Sequence, residues 1–201
     1  MSFRLPAPTP DELVGMGRDV RAAVDQADAL INALLTLARN EYGLTVREPV
    51  DLAAVAEDVL DSVDTGDRHR HTSLRPAATT GDPVLLERLV TNLVDNAVRY
   101  NTPGGTVRLT TSTMDGHATL MVANTGPVIT TDTVDGLFAP FRRFHDRSGD
   151  EGFGLGLAIV ASISAVHDGT VTAEPLPDGG LKVTVALPST GESDNTAVPR
   201  Q

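Results

Sequence analysis

Asn92 and Asn96 stand four residues apart, and Arg99 and Tyr100 follow three and four residues after Asn96. At helical pitch, positions i, i+4 and i+7 share a side, so Asn92, Asn96 and Arg99 project from one face. Asparagine is a poor residue for a helix interior, because its side chain competes for backbone hydrogen bonds. Two of them beside an arginine have a chemical use. A carboxamide oxygen ligates a hard cation without adding charge, and a guanidinium holds phosphate oxygens. The plainer reading, a helix with two incidental surface amides, stays open on this stretch alone. A second candidate is Gly152-Phe153-Gly154-Leu155-Gly156-Leu157, which runs directly into an apolar helical stretch. A glycine-rich turn feeding a helix presents free backbone N–H groups and a positive dipole end, which suits phosphate. The same pattern also marks tight turns. It is not the dinucleotide fingerprint, since no parallel strand unit frames it.

The elements that must position these residues follow from periodicity. The asparagine stretch, 85–101, has Leu86, Leu89, Leu93 and Ala97 on its opposite arc, an apolar stripe at helical spacing. Asp82 is its expected N-cap and Pro83 its first residue, and Asn101 with Pro103-Gly104-Gly105 closes it. Upstream, residues 1–8 read as loose. Thr9, Pro10 and Glu12 open a long helix, which should run to about Tyr42 and stop at Gly43. Leu13, Met16, Val20, Ala23, Ala27, Leu30, Leu34 and Leu37 give it a heptad seam, weakened at the start by Gly15 and Gly17. A lone helix cannot bury such a seam. The seam needs the following domain or, as its strict repeat favours, a helix of another chain.

Arg47 to Val50 reads as extended, and Asp51 caps a helix over 52–63. Residues 64–71 read as a solvated polar turn. His69 and His71 lie there beside Arg68 and Arg70, whose charges oppose a metal. Residues 72–77 are a short strand candidate. Strands are expected at 106–113 and 117–123 around Met114-Asp115-Gly116, and at 170–174 and 182–187 around Pro177-Asp178-Gly179-Gly180. Asn124 to Pro127 is a loop. Phe138, Phe141 and Phe144, spaced by three, read as a small satellite core. Residues 147–152 read as mobile, 158–167 as a helix, and the polar end, 189–201, as a disordered tail.

Composition bounds the possibilities. The chain has 201 residues, 40% of them hydrophobic and 21% charged, so it can bury one real core plus a smaller element. Aromatics are only 3%, which makes that core aliphatic. A net charge of −11 argues against nucleic acid or an anionic membrane as partner, but not against a nucleotide bound with its own metal. The absence of cysteine excludes disulfides, zinc–thiolate sites and cysteine nucleophiles. No apolar run approaches a membrane span and no signal-peptide pattern is present, so the expected location is cytoplasmic, without direct membrane insertion.

Taken in order, NLVDNAVRYN, ANTGP, LFAPFRRF, GFGLGLAI and a final glycine pair before VTVALP resemble a known family. They are similar to the nucleotide boxes of the ATP-binding catalytic domain of bacterial sensor histidine kinases. The resemblance covers about Asp51 to Pro188, placing a catalytic domain at 49–188. It implies an α/β (α+β) sandwich: a mixed, mostly antiparallel sheet with helices on one face. ADALINALLTLARNEYG followed by PVDL resembles the second helix of that family's dimerisation domain, a remnant spanning 9–48. The resemblance further implies ATP and Mg2+ as cofactors. Asn96 would ligate the magnesium, and Asn92 would order phosphates or metal-bound water. Arg99 and Tyr100 would contact the phosphates and the nucleoside. Asn124 would stand at the adenine position, with Gly126 admitting the base. Gly152, Gly154 and Gly156, with Leu155 and Leu157, would shape the phosphate end of a lid that Phe138 and Phe141 anchor.

The sequence departs from the family pattern twice. Asn124 and Val128 stand where the family has an aspartate and a second glycine. An asparagine oxygen still accepts a hydrogen bond from an adenine amino group, without the strengthening charge. The phosphoacceptor box is also missing: His69, His71, His117, His145 and His167 are the only histidines, and none lies on the heptad helix or in the box context. The expected function is therefore an ATP- and Mg-dependent histidine kinase component of a two-component system, a split or truncated kinase acting on a histidine of a separate partner. That partner's helices would dock on the 13–37 seam, and a response regulator would follow. The alternatives are an ATP-binding pseudokinase or scaffold, and an anti-sigma-factor type serine kinase, against which the heptad helix and its PVDL exit speak.

Overall fold

The β-branched strands of the C-terminal half join a polar strand at 69–74 in one sheet of five strands. In the computed structural model, residues 9, 15–17, 47–134, 136–140 and 155–190 are described. The strands are β1 (Glu48–Asp51), β2 (His69–Leu74), β3 (Ala78–Gly81), β4 (Thr106–Met114), β5 (His117–Asn124), β6 (Thr170–Pro175) and β7 (Leu181–Pro188). Five of them form a sheet in the order β2-β4-β5-β7-β6, while β1 and β3 pair separately as an antiparallel ribbon. Only the β2–β4 pair is parallel; β4–β5, β5–β7 and β6–β7 are antiparallel. This is the mixed, mostly antiparallel sheet that the family resemblance implies.

The helices are α1 (Leu52–Ser62), α2 (Pro83–Arg99), the short α3 (Thr131–Val134) and α4 (Gly156–Val166). The long ones lie on one face: α1 against β2, β4 and β5, α2 against β4 and β5, α4 against β6 and β7. Between them, α2 touches both α1 and α4. The core is aliphatic, as the scarcity of aromatics requires. Leu86, Leu89, Leu93 and Ala97 are at most 3% exposed and belong to one buried cluster with Leu109, Leu120, Ile163 and Leu187. Each such leucine contributes about 1.5–3 kcal/mol by leaving water, which holds the polar face of α2 in one orientation.

Caps fix where the helices begin. Asp51 accepts from the Ala53 N–H at 3.0 Å and also from the Ala77 N–H at 2.9 Å, so it starts α1 and ties down the chain entering β3. Asp82 accepts from the N–H groups of Val84 and Leu85, and Pro83 occupies the first turn, as expected.

The structure corrects several boundaries. His69 and His71 are not in a solvated turn: they open β2, pairing in parallel with Thr106 and Arg108. An edge strand exposes most of its side chains, so backbone pairing overrides local polarity there. The strand expected over 72–77 ends at Leu74, and a separate strand starts at Ala78; Pro76, without an N–H, stands in the break. The last long helix begins at Gly156 rather than Ala158. Helix α3 was not foreseen. Ser189 and Thr190, expected in the loose tail, donate backbone hydrogen bonds to Gly116 and Ala78. Of the long helix expected over 9–42 only Thr9 and 15–17 are described; 15–17 are helical, and Met16 is 57% exposed. The rest of the 13–37 seam lies outside the described residues, as do Gly152, Gly154, Phe141, Phe144, His145 and residues 191–201.

Candidate functional site

The apolar stripe of α2 faces the sheet and leaves Asn92 and Asn96 half-buried and Arg99 and Tyr100 exposed. The Asn92 Nδ2 donates to the Arg88 carbonyl at 2.8 Å. This anchors the amide and leaves its oxygen for other use. That oxygen faces α4: a methyl group in place of the Gly156 hydrogen would lie 3.5 Å from Asn92 Oδ1. The Asn96 side chain has no hydrogen-bond partner among the described residues. Asp95, beside it, has its carboxyl held above the usual value by desolvation, with the Arg99 guanidinium pulling it back.

Helix α4 starts without a side-chain cap at Leu155, so its first N–H groups are not taken by a capping side chain. Leu155 and Leu157 are 3% and 8% exposed. Their side chains are core, and only their main-chain N–H groups are left to serve a ligand. The positive end of the α4 dipole thus lies beside the Asn92 amide oxygen, an arrangement suited to an anion with a bound cation. Phe138 is partly buried and packs on the main core instead of forming a satellite, and Ile129 and Leu137 do the same.

The other end of the site is built where α2 meets β5. Asn124, the last residue of β5, is 7% exposed. Its Nδ2 donates to the Thr125 carbonyl at 2.8 Å and reaches the Tyr100 carbonyl at 3.5 Å. Both partners accept only, which fixes the amide's orientation. Asn124 Oδ1 takes no hydrogen bond among the described residues and is not a buried orphan, so it remains an available acceptor. Gly126 has no room for a side chain: a Cβ would sit 2.6 Å from the Tyr100 carbonyl oxygen. Gly180, at φ +103, packs on the Asn124 backbone and donates to the Pro127 carbonyl at 2.9 Å. The β6–β7 turn therefore buttresses the loop that carries Asn124. Val128 is 72% exposed.

The expected residues thus form a strip. It runs from Gly156 and Asn92 through Asn96 to Arg99, Tyr100, Asn124 and Gly126. Asn92 and Tyr100 are about 12 Å apart along the axis of α2 by helical rise. Residues 81–191 match the family of histidine kinase-, DNA gyrase B- and HSP90-like ATPases. The sensor protein CutS of Streptomyces coelicolor is 42% identical over 186 residues, 89% of this chain and 45% of CutS. The structure of a mycobacterial sensor histidine kinase, MprB, is 31% identical with a TM-score of 0.64, over 71% of this chain and 97% of that one. This chain carries the ATP-binding catalytic domain of a bacterial sensor histidine kinase. ShkA, solved full-length in complex with AMPPNP, aligns at 27% identity and a TM-score of 0.67, over 92% of this chain and 40% of ShkA. The chain spans less than half the length of CutS.

Three positioning residues of this kinase domain were missed by sequence reasoning. Asn101 Oδ1 accepts from the Thr125 hydroxyl at 2.6 Å, and Thr125 Oγ1 accepts from the Thr106 N–H at 2.8 Å. Asn101 Nδ2 donates to the Thr106 carbonyl at 3.0 Å. This knot fastens the end of α2 to the ends of β4 and β5, holding Tyr100 against Asn124. Gly105 lies so close to Asn101 and Thr125 that no side chain fits there. The third residue is His167, buried where α4 ends. Asn101 and Thr125 read only as turn formers locally; their partners are distant in sequence. No helix among the described residues is long and apolar enough to cross a membrane.

Proposed function

We propose that this domain binds ATP with a magnesium ion along the strip from Asn124 to Gly156 and transfers the γ-phosphoryl group to a histidine of a two-component partner. The observation that carries the reading is the pair of asparagine amides on α2. Asn92 is anchored with its oxygen beside the start of α4, which has no side-chain cap, and Asn96 one turn further on is unengaged, both among the described residues. The donor set suits a hard cation: neutral amide oxygens can complete the shell of a magnesium ion that already has phosphate ligands. A magnesium ion bound there would neutralise phosphate charge.

The chain's own groups supply position. Asn124 Oδ1 accepts from a 6-amino purine, and Gly126 lets the loop after Asn124 pack against the Tyr100 carbonyl, which holds that amide in place. Arg99 holds a phosphate oxygen. The N–H groups at the start of α4, which no capping side chain takes among the described residues, receive the phosphate end. In transfer, an imidazole nitrogen bonds to the γ-phosphorus as its bond to the bridging oxygen breaks, and ADP leaves. Such a step needs alignment more than a protein nucleophile. The acceptor histidine belongs to helices that pack on the 13–37 seam, and a response regulator then receives the phosphoryl group. His167 does not serve as acceptor, since both its ring nitrogens are engaged.

The test is incubation with γ-labelled ATP, magnesium and a dimerisation-helix protein bearing a histidine, followed by detection of acid-labile label on that histidine. Label that appears with wild type and vanishes with Asn96→Ala supports the proposal. Label unaffected by Asn96→Ala contradicts it. A nucleotide-binding scaffold without transfer is the second reading, favoured by the uncharged Asn124 and the exposed Val128. It predicts nucleotide binding with no label on any partner.

A further inference from the structure

His167 is the buried imidazole among the described residues, 2% exposed, and no step of the proposed transfer uses it. It caps the C-terminal end of α4. Its Nδ1 lies 2.8 Å from the Ile163 carbonyl oxygen, one turn back. A carbonyl only accepts, so Nδ1 carries the proton. Nε2 is then an acceptor, and the Asp82 backbone N–H donates to it at 3.1 Å. Asp82 is the N-cap of α2. One neutral imidazole therefore joins the end of the glycine-fed helix to the start of the asparagine helix. These are the two helices whose packing brings Gly156 beside Asn92.

We propose that His167 is a positioning residue for the nucleotide site, setting α4 against α2 through the Asp82 N–H, so that its protonation loosens the site. This rests on the nucleotide reading above. A proton on Nε2 turns the acceptor into a donor that faces another donor. The ring has little room to move aside, because it abuts Gly81 so closely that a side chain there would collide with it. The charged groups facing His167 are Arg47, Asp82 and Asp168. Arg47 and Asp168 pair with each other at 3.2 Å. The Asp82 carboxylate is bound to the first N–H groups of α2. Burial, the largest influence, holds the imidazole below its ordinary value. The Ile163 bond raises it, Arg47 lowers it, and the two aspartates raise it.

The test follows the affinity of the whole chain for AMPPNP with magnesium from about pH 7.5 to 5.5, in wild type and His167→Gln. A glutamine amide oxygen can accept the Asp82 N–H and does not titrate. Protonation of the phosphates weakens both proteins alike, so the difference between them isolates His167. Wild type is expected to lose about twofold to fivefold more affinity than His167→Gln, which is what a shift of about one pKa unit on binding gives by the acid end of this range. In the wild type alone, the Asp82 amide resonance is expected to titrate with the His167 ring nitrogens. Equal pH dependence in the two proteins, or an Asp82 amide that stays still while His167 protonates, would overturn the proposal. Failure of wild type to bind at neutral pH would overturn the nucleotide reading and this proposal with it.

Discussion

Asn124 shows how one amide is divided between structure and recognition. Its NH2 group is spent on two backbone carbonyls, at 2.8 and 3.5 Å, and its oxygen is left for a base. The family's aspartate suggests that restoring the charge would strengthen binding. In this chain the opposite is expected, because Asn124→Asp places a carboxylate oxygen against the Thr125 and Tyr100 carbonyls. Loss of one buried hydrogen bond and the resulting repulsion cost about 1–3 kcal/mol. Calorimetry should show weaker analogue binding and a lower melting temperature for the variant; tighter binding would count against this account of the amide. The same neighbourhood explains Gly126, whose place a methyl could enter only by moving the Tyr100 carbonyl.

At the scale of elements, α2 is the part on which the site depends. Its start is fixed by Asp82 and its burial by the leucine stripe. Asp82→Ala should cost about 1 kcal/mol of stability, the usual value of an N-cap, with the urea midpoint falling and the slope unchanged. An unaltered midpoint would mean that the cap does not limit the helix. The junction of α4 with α2 makes a further prediction. Burial lowers the His167 pKa in the folded state, so the unfolded chain binds its proton more readily. Stability is then complete above about pH 6.5, the ordinary value, and falls as pH drops through the folded value, by about 1.4 kcal/mol for each unit of depression. Urea unfolding across this range should show that fall in wild type and less of it in His167→Gln; identical profiles would contradict it. Much of this layer was legible in the sequence. Pro83 and Asp82 announced α2, and the turns at Asp115-Gly116 and Gly179-Gly180 announced both hairpins, because caps and tight turns are local chemistry. The strand at His69 was not legible, since its polar residues become a strand only by pairing with β4. The knot of Asn101, Thr125 and Thr106 and the reach of His167 to Asp82 were hidden for the same reason.

For the molecule as a whole, an acidic chain of net charge −11 must attract a polyanionic nucleotide. Long-range steering opposes this, so affinity has to come from the local donors of α2 and α4 and from the metal that accompanies the phosphates. Binding should therefore depend strongly on magnesium. The measurement that tests this most directly is calorimetric titration of the whole chain with AMPPNP, with and without magnesium, in wild type and Asn96→Ala. The account predicts saturable binding that requires magnesium and weakens by about tenfold or more in Asn96→Ala, roughly 1.4 kcal/mol, while the fold is retained. Binding of equal strength without the metal, or in Asn96→Ala, would contradict it.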